Sequence, residues 1–128
     1  MQTVTAALLL RDGRILLALR KAGKHMGRKW EFPGGKVHPG ETPEQCLERE
    51  LAEELDIRAR IGPQAGRARY TKEDLDLEIL LYRAEYLSGT FTLHDHEAIA
   101  WVPPAELASY DLADSDRELA EQALASLK

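Results

Sequence analysis

The sequence has a single cysteine, Cys46, and no apolar run long enough to cross a membrane. One cysteine excludes an internal disulfide and agrees with a reducing compartment such as the cytosol. A basic region is missing before the short N-terminal apolar run, which Arg11 interrupts, so a secretory signal is not expected. We therefore expect a cytoplasmic protein without a membrane segment, in which Cys46 is a small apolar core residue.

Positive charge is also scarce. The chain has 17 lysines and arginines against 22 aspartates and glutamates, which gives a formal net charge of −5. This balance gives no reason to expect a nucleic-acid polymer or an anionic membrane as a partner. Repeats, linkers and low-complexity segments are lacking, and 128 residues suffice for one hydrophobic core. We expect a single domain over residues 1–128.

Aliphatic and β-branched segments predict the strands. Residues 3–10 and 15–19 flank Asp12-Gly13, a strong turn signal, and should pair as an antiparallel hairpin. Gly62-Pro63 should break the chain between two later strands. The later strands are expected at residues 58–61, 67–70, 75–86, 90–93 (as a hairpin partner of the preceding strand) and 99–102.

Capping signals predict the first helix. Thr42 is a good N-cap, Pro43 suits the first helical position, and Gln45 completes a Thr-x-x-Gln capping box. The apolar stripe of this helix comprises Leu47, Leu51 and Leu55.

A second capping box, Ser115 with Glu118, predicts a C-terminal helix. Its apolar stripe comprises Leu119, Ala123, Leu124 and Leu127. Before it, Pro104 can open a short helix through Ala108. Mixed strands with two principal helices imply an α/β sandwich.

The first helix carries a group of acids that does not stabilise it. Glu50, Glu53 and Glu54 stand at spacings i, i+3 and i+4, so three carboxylates share one flank and repel one another. Alone, this pattern would most simply be a solvated acidic face. Gly34-Gly35 precedes the acids, however, and lets the backbone approach a ligand closely. The combination indicates a site for a divalent cation such as magnesium, which bridges carboxylates and substrate phosphates.

Residues 35–57 resemble the signature of the Nudix hydrolases. The segment reads Gly35, Glu41 after five residues and, after seven more, residues 49–57. Residues 31–36 and 40–45 are especially similar to the MutT branch, which cleaves nucleoside triphosphates. The one departure is Asp56, where the family has Gly for a left-handed helix exit, a conformation that Asp tolerates better than most residues. The resemblance implies the Nudix fold, a mixed β-sheet sandwiched between helices.

The resemblance also implies roles for the acids. The expected ligands of Mg²⁺, or alternatively Mn²⁺, are the carbonyl of Gly34 and the carboxylates of Glu50, Glu53, Glu54 and Asp95. Glu50 matches the position that can serve as base in MutT. Arg49 is expected to orient the acids, and Glu41 to hold the ligands in place without binding the metal itself. We count Arg49, Glu50, Glu53 and Glu54 as catalytic.

Asp95 lies in the run His94-Asp95-His96-Glu97 and matches the outlying acidic ligand of MutT. The competing interpretation is a polar turn with two ordinary surface histidines. Glu97 is the second choice for the ligand.

Substrate-binding positions follow from the same resemblance. The matching residues are Arg20, His25, Glu31, Phe32, Pro33 and Gly34. Lys36, beside the glycines, could meet phosphate oxygens. Phe32 or Trp30 could stack on a base, or could equally be core residues. The basic residues of the loop at residues 22–29 are otherwise expected to be mostly solvated.

Asp116 bears on the choice of base, because it matches the position at which MutT uses an Asn to read an oxidised guanine. An amide donates and accepts, whereas an ionised Asp only accepts, which suits the exocyclic amine of cytosine. Residues 110–116 also resemble the bacterial CTP pyrophosphohydrolases. A buried, protonated Asp would donate and restore the oxidised-guanine interpretation. An acid in the first turn of a helix also needs no ligand at all. These alternatives stay open.

The resemblance therefore implies a magnesium-dependent pyrophosphohydrolase of the MutT type, which releases a nucleoside monophosphate and pyrophosphate. Its substrate would be either an oxidised nucleotide such as 8-oxo-dGTP, or CTP or a modified dCTP. The alternatives are a nucleotide-sugar pyrophosphatase and a non-catalytic nucleotide-sensing domain. The complete set of acids argues against the sensing domain.

Overall fold

The computed structural model describes residues 1–23 and 27–128. In these residues the strands are β1 (Gln2–Arg11), β2 (Arg14–Arg20), β3 (Trp30–Glu31), β4 (Gly34–Lys36), β5 (Arg58–Lys72), β6 (Leu75–Ser88) and β7 (His96–Val102). The helices are α1 (Pro43–Leu55), between β4 and β5, a short 3-10 helix (Pro104–Ser109) and α2 (Asp114–Ser126). Within the described ranges, no helix is long and apolar enough to cross a membrane.

The N-terminal hairpin forms as predicted. Strands β1 and β2 pair antiparallel, with Leu10 opposite Ile15. The turn residues Asp12 and Gly13 both have positive φ, 51° and 76°. Two left-handed residues give a two-residue turn the twist that matches its flanking strands, which is why Asp-Gly favours it.

Strand β1 is central to one mixed sheet. It pairs parallel with β6 and antiparallel with β4, while β5 lies outermost against β6. Strand β2 pairs antiparallel with both β3 and β7. The α/β fold with a mixed sheet is therefore confirmed.

Each face of the sheet is covered by a different helix. Ala6 and Leu8 of β1 belong to the hydrophobic cluster that contains Leu119 of α2. Ala7 and Leu9 point the other way, into the cluster under α1. Because side chains alternate along a strand, the uninterrupted apolar sequence of β1 buries both faces. The leucines that α1 contributes are the predicted stripe, Leu47, Leu51 and Leu55, and Cys46 is fully buried beside them.

The predicted boundaries of α1 are confirmed. Thr42 Oγ1 accepts a hydrogen bond from the Gln45 N–H at 3.1 Å, and Gln45 Oε1 accepts one from the Thr42 N–H at 2.9 Å. At the other end, Asp56 is left-handed, with φ 58° and ψ 32°. Its carboxylate Oδ2 lies 2.9 Å from Nε2 of His94. The acidic helix thus begins and ends at well-defined residues.

The predicted strand at residues 90–93 is wrong. The N–H groups of Thr92 and His94 donate to the carbonyls of Leu55 and Glu54, at 3.1 and 3.2 Å. These carbonyls belong to the last turn of α1, where helical partners run out. The segment therefore satisfies the end of the helix instead of pairing with β6.

Two other local predictions are corrected. Strand β5 runs through Gly62-Pro63, because shifts of register against β6 absorb the irregularity and an outermost strand tolerates Pro. Ser115 does not cap α2, whose N-cap position is Ala113, two residues before the predicted cap, and no described side chain caps it. Asp114, an acid in the first turn, favours this helix start through the helix dipole instead.

Replacing Asp56 with Ala should destabilise the protein more than replacing it with Gly. Both substitutions remove the contact with His94, but only Ala is strained at positive φ, at a cost of about 1–2 kcal/mol. Urea unfolding should place Asp56→Ala about 1 kcal/mol below Asp56→Gly. Equal stabilities would contradict a left-handed helix exit.

Candidate active site

Gly34 lies where no side chain fits, and a side chain at Gly35 would displace the Glu50 carboxylate. A Cβ atom on Gly34 would lie 1.9 Å from the carbonyl oxygen of Thr5, in β1. A Cβ atom on Gly35 would lie 2.3 Å from Cδ of Glu50. The glycines therefore let β4 pack directly on β1 and let the Glu50 carboxylate lie against the backbone.

Arg49 gathers the acids around it. Its Nε and Nη2 donate to the two carboxylate oxygens of Glu41, at 3.1 and 2.7 Å. Its Nη1 donates to Glu50 at 2.8 Å and to Glu53 at 3.2 Å, and Nη2 also reaches the carbonyl of Lys36 at 3.1 Å. The hydrogen bonds from Arg49 lower the pKa of Glu41 to about 2. This geometry suits the orienting role expected of Arg49 and the supporting role expected of Glu41.

Glu54 is partly buried on the flank of α1. Burial, and then the charges of Glu50, Glu31 and Asp95, raise its pKa to about 8, against a hydrogen bond from the Gly34 backbone. Its Oε1 is shielded from solvent and has no hydrogen-bond partner in the part of the chain that the structure describes. A buried oxygen without a partner is costly, and a cation would satisfy it.

The acids fit a divalent cation, but they are not yet arranged as its ligands. Among residues 1–23 and 27–128, no group of three His, Cys, Asp or Glu side chains has metal-binding geometry. Glu53 explains part of this, because its side chain is 59% exposed and is paired with Arg49. The carboxylates of Glu50 and Asp95 are nevertheless each within electrostatic reach of Glu54. Ligation by Glu53 would require its carboxylate to turn away from Arg49.

Asp116 is buried at the start of α2, with 7% of its surface exposed. Its Oδ1 accepts a hydrogen bond from the Phe32 N–H at 3.0 Å. Burial, and then the charge of Glu31, raise the pKa of Asp116 to about 8. A carboxyl that is neutral at pH 7 keeps its proton on the oxygen that does not accept from Phe32, so it can both donate and accept.

Glu31 is held from two sides. Nη1 of Arg20 donates to its Oε1 at 3.0 Å, and Nε2 of His96 lies 2.8 Å from its Oε2. The sheet explains this contact, because β2 pairs with both β3 and β7 and places Arg20 opposite His96. Three strands thus bring one acid, one guanidinium and one imidazole together.

The interpretation of His96 as a surface histidine is wrong, since only 4% of its surface is exposed. His94 is half-exposed and faces Asp56 instead. The strand expected at residues 99–102 begins three residues earlier, because β7 starts at His96. A register shift between β2 and β7 pairs His96 with Arg20, so His96 lies on the same face of the sheet as Arg20 and Glu31.

The aromatic candidates differ in exposure. The ring of Phe32 is 3% exposed and packs in the core, so the core alternative holds for it. Trp30 is half-buried and meets the ring of Tyr110 edge-on, with 5.3 Å between centroids. Pro33 is buried, and its carbonyl accepts from the Ala7 N–H at 2.8 Å.

The described basic residues of the loop before β3 are largely exposed, as expected, and two of them form surface ion pairs. Lys29 Nζ lies 2.9 Å from the carboxylate of Asp111, and Arg28 pairs with Glu97. Glu97 is thereby occupied away from the helix acids, whereas Asp95 acts on Glu54. The Lys36 side chain is exposed. His25, a predicted nucleotide contact, lies outside the described residues.

Comparisons with known proteins agree with this geometry. The profile of the NUDIX domain matches residues 1–123. The CTP pyrophosphohydrolase of Escherichia coli (strain K12) is 38% identical over 122 residues, which cover 95% of this chain and 90% of that protein. The putative 8-oxo-dGTP diphosphatase 2 of Mycobacterium tuberculosis (strain ATCC 25618 / H37Rv) is 36% identical over 123 residues, covering 91% and 83%.

A solved structure is similar over the same length. The crystal structure of a MutT NUDIX hydrolase from Burkholderia pseudomallei superposes with a TM-score of 0.84 at 29% identity, covering 94% of this chain and 96% of that one. The chain therefore belongs to the Nudix family, as a MutT-like hydrolase that acts on phosphoanhydride bonds.

Proposed function

We propose that the protein is a magnesium-dependent pyrophosphohydrolase that converts a nucleoside triphosphate into a nucleoside monophosphate and pyrophosphate. The observation that carries this proposal is the placement of Glu50 and Glu54 against the glycine segment, with Asp95 within electrostatic reach of Glu54. The names of the similar proteins support the same reaction class. We expect the reaction in the cytosol, where the thiol of Cys46 stays reduced.

The ligands we assign to Mg²⁺, with Mn²⁺ as a substitute, are the Gly34 carbonyl, Glu50, Glu53, Glu54 and Asp95. A bound divalent cation supplies charge neutralisation at the phosphates and makes a coordinated water more acidic.

Glu50 is the base in this proposal and accepts the proton of the attacking water. Its side chain is 14% exposed and is held by Arg49 Nη1 at 2.8 Å. Arg49 thus keeps Glu50 in place against the repulsion of its neighbours. Glu41, which binds the other side of the guanidinium, keeps Arg49 itself in place.

An oxidised guanine is the base that Asp116 supports best. The edge of 8-oxoguanine presents a carbonyl acceptor beside an N–H donor. A neutral carboxyl presents an O–H donor beside an acceptor, as an amide does. Because burial keeps Asp116 protonated at neutral pH, 8-oxo-dGTP is the substrate that we propose.

A CTP or modified dCTP pyrophosphohydrolase is the second candidate. The similarity to the protein named CTP pyrophosphohydrolase favours it. In that case an ionised Asp116 would accept from the exocyclic amine of cytosine. The two candidates thus differ in the protonation of one side chain.

Magnesium should raise the melting temperature, because it binds the gathered acids of the folded chain and relieves their repulsion. Glu54→Gln should remove most of this rise and lower pyrophosphate release roughly 100-fold. Thermal unfolding by fluorimetry over a magnesium titration, with a coupled pyrophosphate assay, measures both. Glu48→Gln, which changes an exposed acid of the same helix, is the matched control and should alter neither. Full activity in excess chelator would contradict the proposal.

Glu50→Gln should lower kcat on the order of 100- to 10,000-fold and leave KM nearly unchanged, because it removes proton transfer but keeps the shape of the site. Turnover in isotopically labelled water should put the label into only one of the two products of the wild type. Mass spectrometry of the first turnover checks this. Orthophosphate as the initial product would refute the proposed cleavage.

The preference for 8-oxo-dGTP over CTP should fall as pH rises through about 8, since the pKa of Asp116 is raised to about 8 and its donor proton is lost above that value. Asp116→Asn donates at every pH, so it should keep the preference and lose its pH dependence. The ratio of kcat/KM values from neutral to alkaline pH, in both proteins, measures this. If the ratio of kcat/KM values of the wild type does not change with pH, Asp116 does not recognise the base.

A further inference from the structure

His96 is a buried polar side chain that the reaction described above does not use. It is 4% exposed, and its Nε2 lies 2.8 Å from Oε2 of Glu31. Its Nδ1 is shielded from solvent and has no hydrogen-bond partner among the described residues. A hydrophobic side chain would avoid this unsatisfied atom, so stability alone does not account for a histidine here.

The contact with Glu31 determines which nitrogen carries the proton. A carboxylate oxygen only accepts, so Nε2 must be the donor. In the neutral imidazole Nδ1 is then an acceptor without a partner, which is less costly than a buried N–H group without one. The structure therefore indicates the Nε2–H tautomer of His96.

Glu31 lies between the two halves of the site. Its charge acts on Glu54 in the acidic group and on Asp116 at the proposed base-reading end. Arg20 holds one of its carboxylate oxygens at 3.0 Å and His96 holds the other at 2.8 Å. With both oxygens bound, the carboxylate cannot rotate without breaking a buried hydrogen bond.

We propose that His96 is a positioning residue that sets the base selectivity of this site, by fixing the Glu31 carboxylate as an acceptor beside the carboxyl of Asp116. Glu31 then accepts from a ring N–H while Asp116 donates to an adjacent carbonyl. The ligand recognised is a base edge that presents both groups side by side, as an oxidised purine does. This inference rests on the proposed function, in which Asp116 faces the base, and adds Glu31 beside it.

Two substitutions separate positioning from stability. His96→Gln keeps an amide N–H near the place of Nε2, whereas His96→Leu fills the buried volume without a donor. His96→Leu should lower the ratio of the affinities for 8-oxo-dGMP and CMP about tenfold, the effect of losing a hydrogen bond to a charged group. His96→Gln should retain most of the ratio. Calorimetric titration of each folded protein with the two monophosphates gives these values.

A double-mutant cycle and a spectroscopic measurement complete the test. In the Glu31→Gln background, adding His96→Leu should change the ratio little further, because the group that it positions has already been replaced. Nitrogen NMR of the wild type should show that Nε2 of His96 carries a proton and that Nδ1 does not. This result does not depend on whether His96→Leu folds. The proposal would be overturned if His96→Leu left the affinity ratio unchanged. It would also be overturned if His96→Leu lowered the ratio as much in the Glu31→Gln background as in the wild type, or if NMR showed the opposite tautomer.

Monophosphate binding separates this inference from the proposed function, because it requires no turnover. A wild type that prefers 8-oxo-dGMP but releases no pyrophosphate would refute only the reaction. A wild type that hydrolyses triphosphates while His96→Leu keeps its selectivity would refute only the role of His96. A wild type that binds the two monophosphates equally would also overturn the role of His96.

Discussion

Repulsion between carboxylates is the constraint on which the rest of the site depends. Glu50, Glu53 and Glu54 lie within little more than one turn of α1. Arg49 offsets the charge of the first two, and burial, followed by the charges of Glu50, Glu31 and Asp95, raises the pKa of Glu54 to about 8. The acids can therefore be kept close together in the folded chain, where a divalent cation could draw on them as ligands.

The backbone around α1 holds this arrangement in place. Gly34 brings β4 onto β1, and Gly35 leaves room for the Glu50 carboxylate. At the far end of the helix, the N–H groups at positions 92 and 94 bond the last carbonyls of α1, and this places Asp95 near Glu54. The glycine segment, the acidic helix and the loop before β7 thus form one continuous frame.

Local signals in the sequence predict the parts of this frame that depend on neighbouring residues. The Thr42 capping box, the Asp12-Gly13 turn and the left-handed Asp56 are of this kind. The strand predicted at residues 90–93 does not form, because the hydrogen-bond partners of this segment are carbonyls of α1, which is distant in sequence. His96 is buried by the pairing of β7 with β2, and Asp116 by the folding of α2 over the Phe32 backbone. Such long-range contacts leave no periodic or capping signal in the sequence.

The central claim is that the helix acids form a cation site together with Asp95. Electron paramagnetic resonance of Mn²⁺ titrated into the protein, with no nucleotide present, tests it most directly. We expect the wild type to bind Mn²⁺ and Mg²⁺ to displace it. Both Glu54→Gln and Asp95→Asn should abolish this binding. Mn²⁺ that remains free in the wild type at concentrations that support turnover would contradict the claim, as would unchanged binding in both variants.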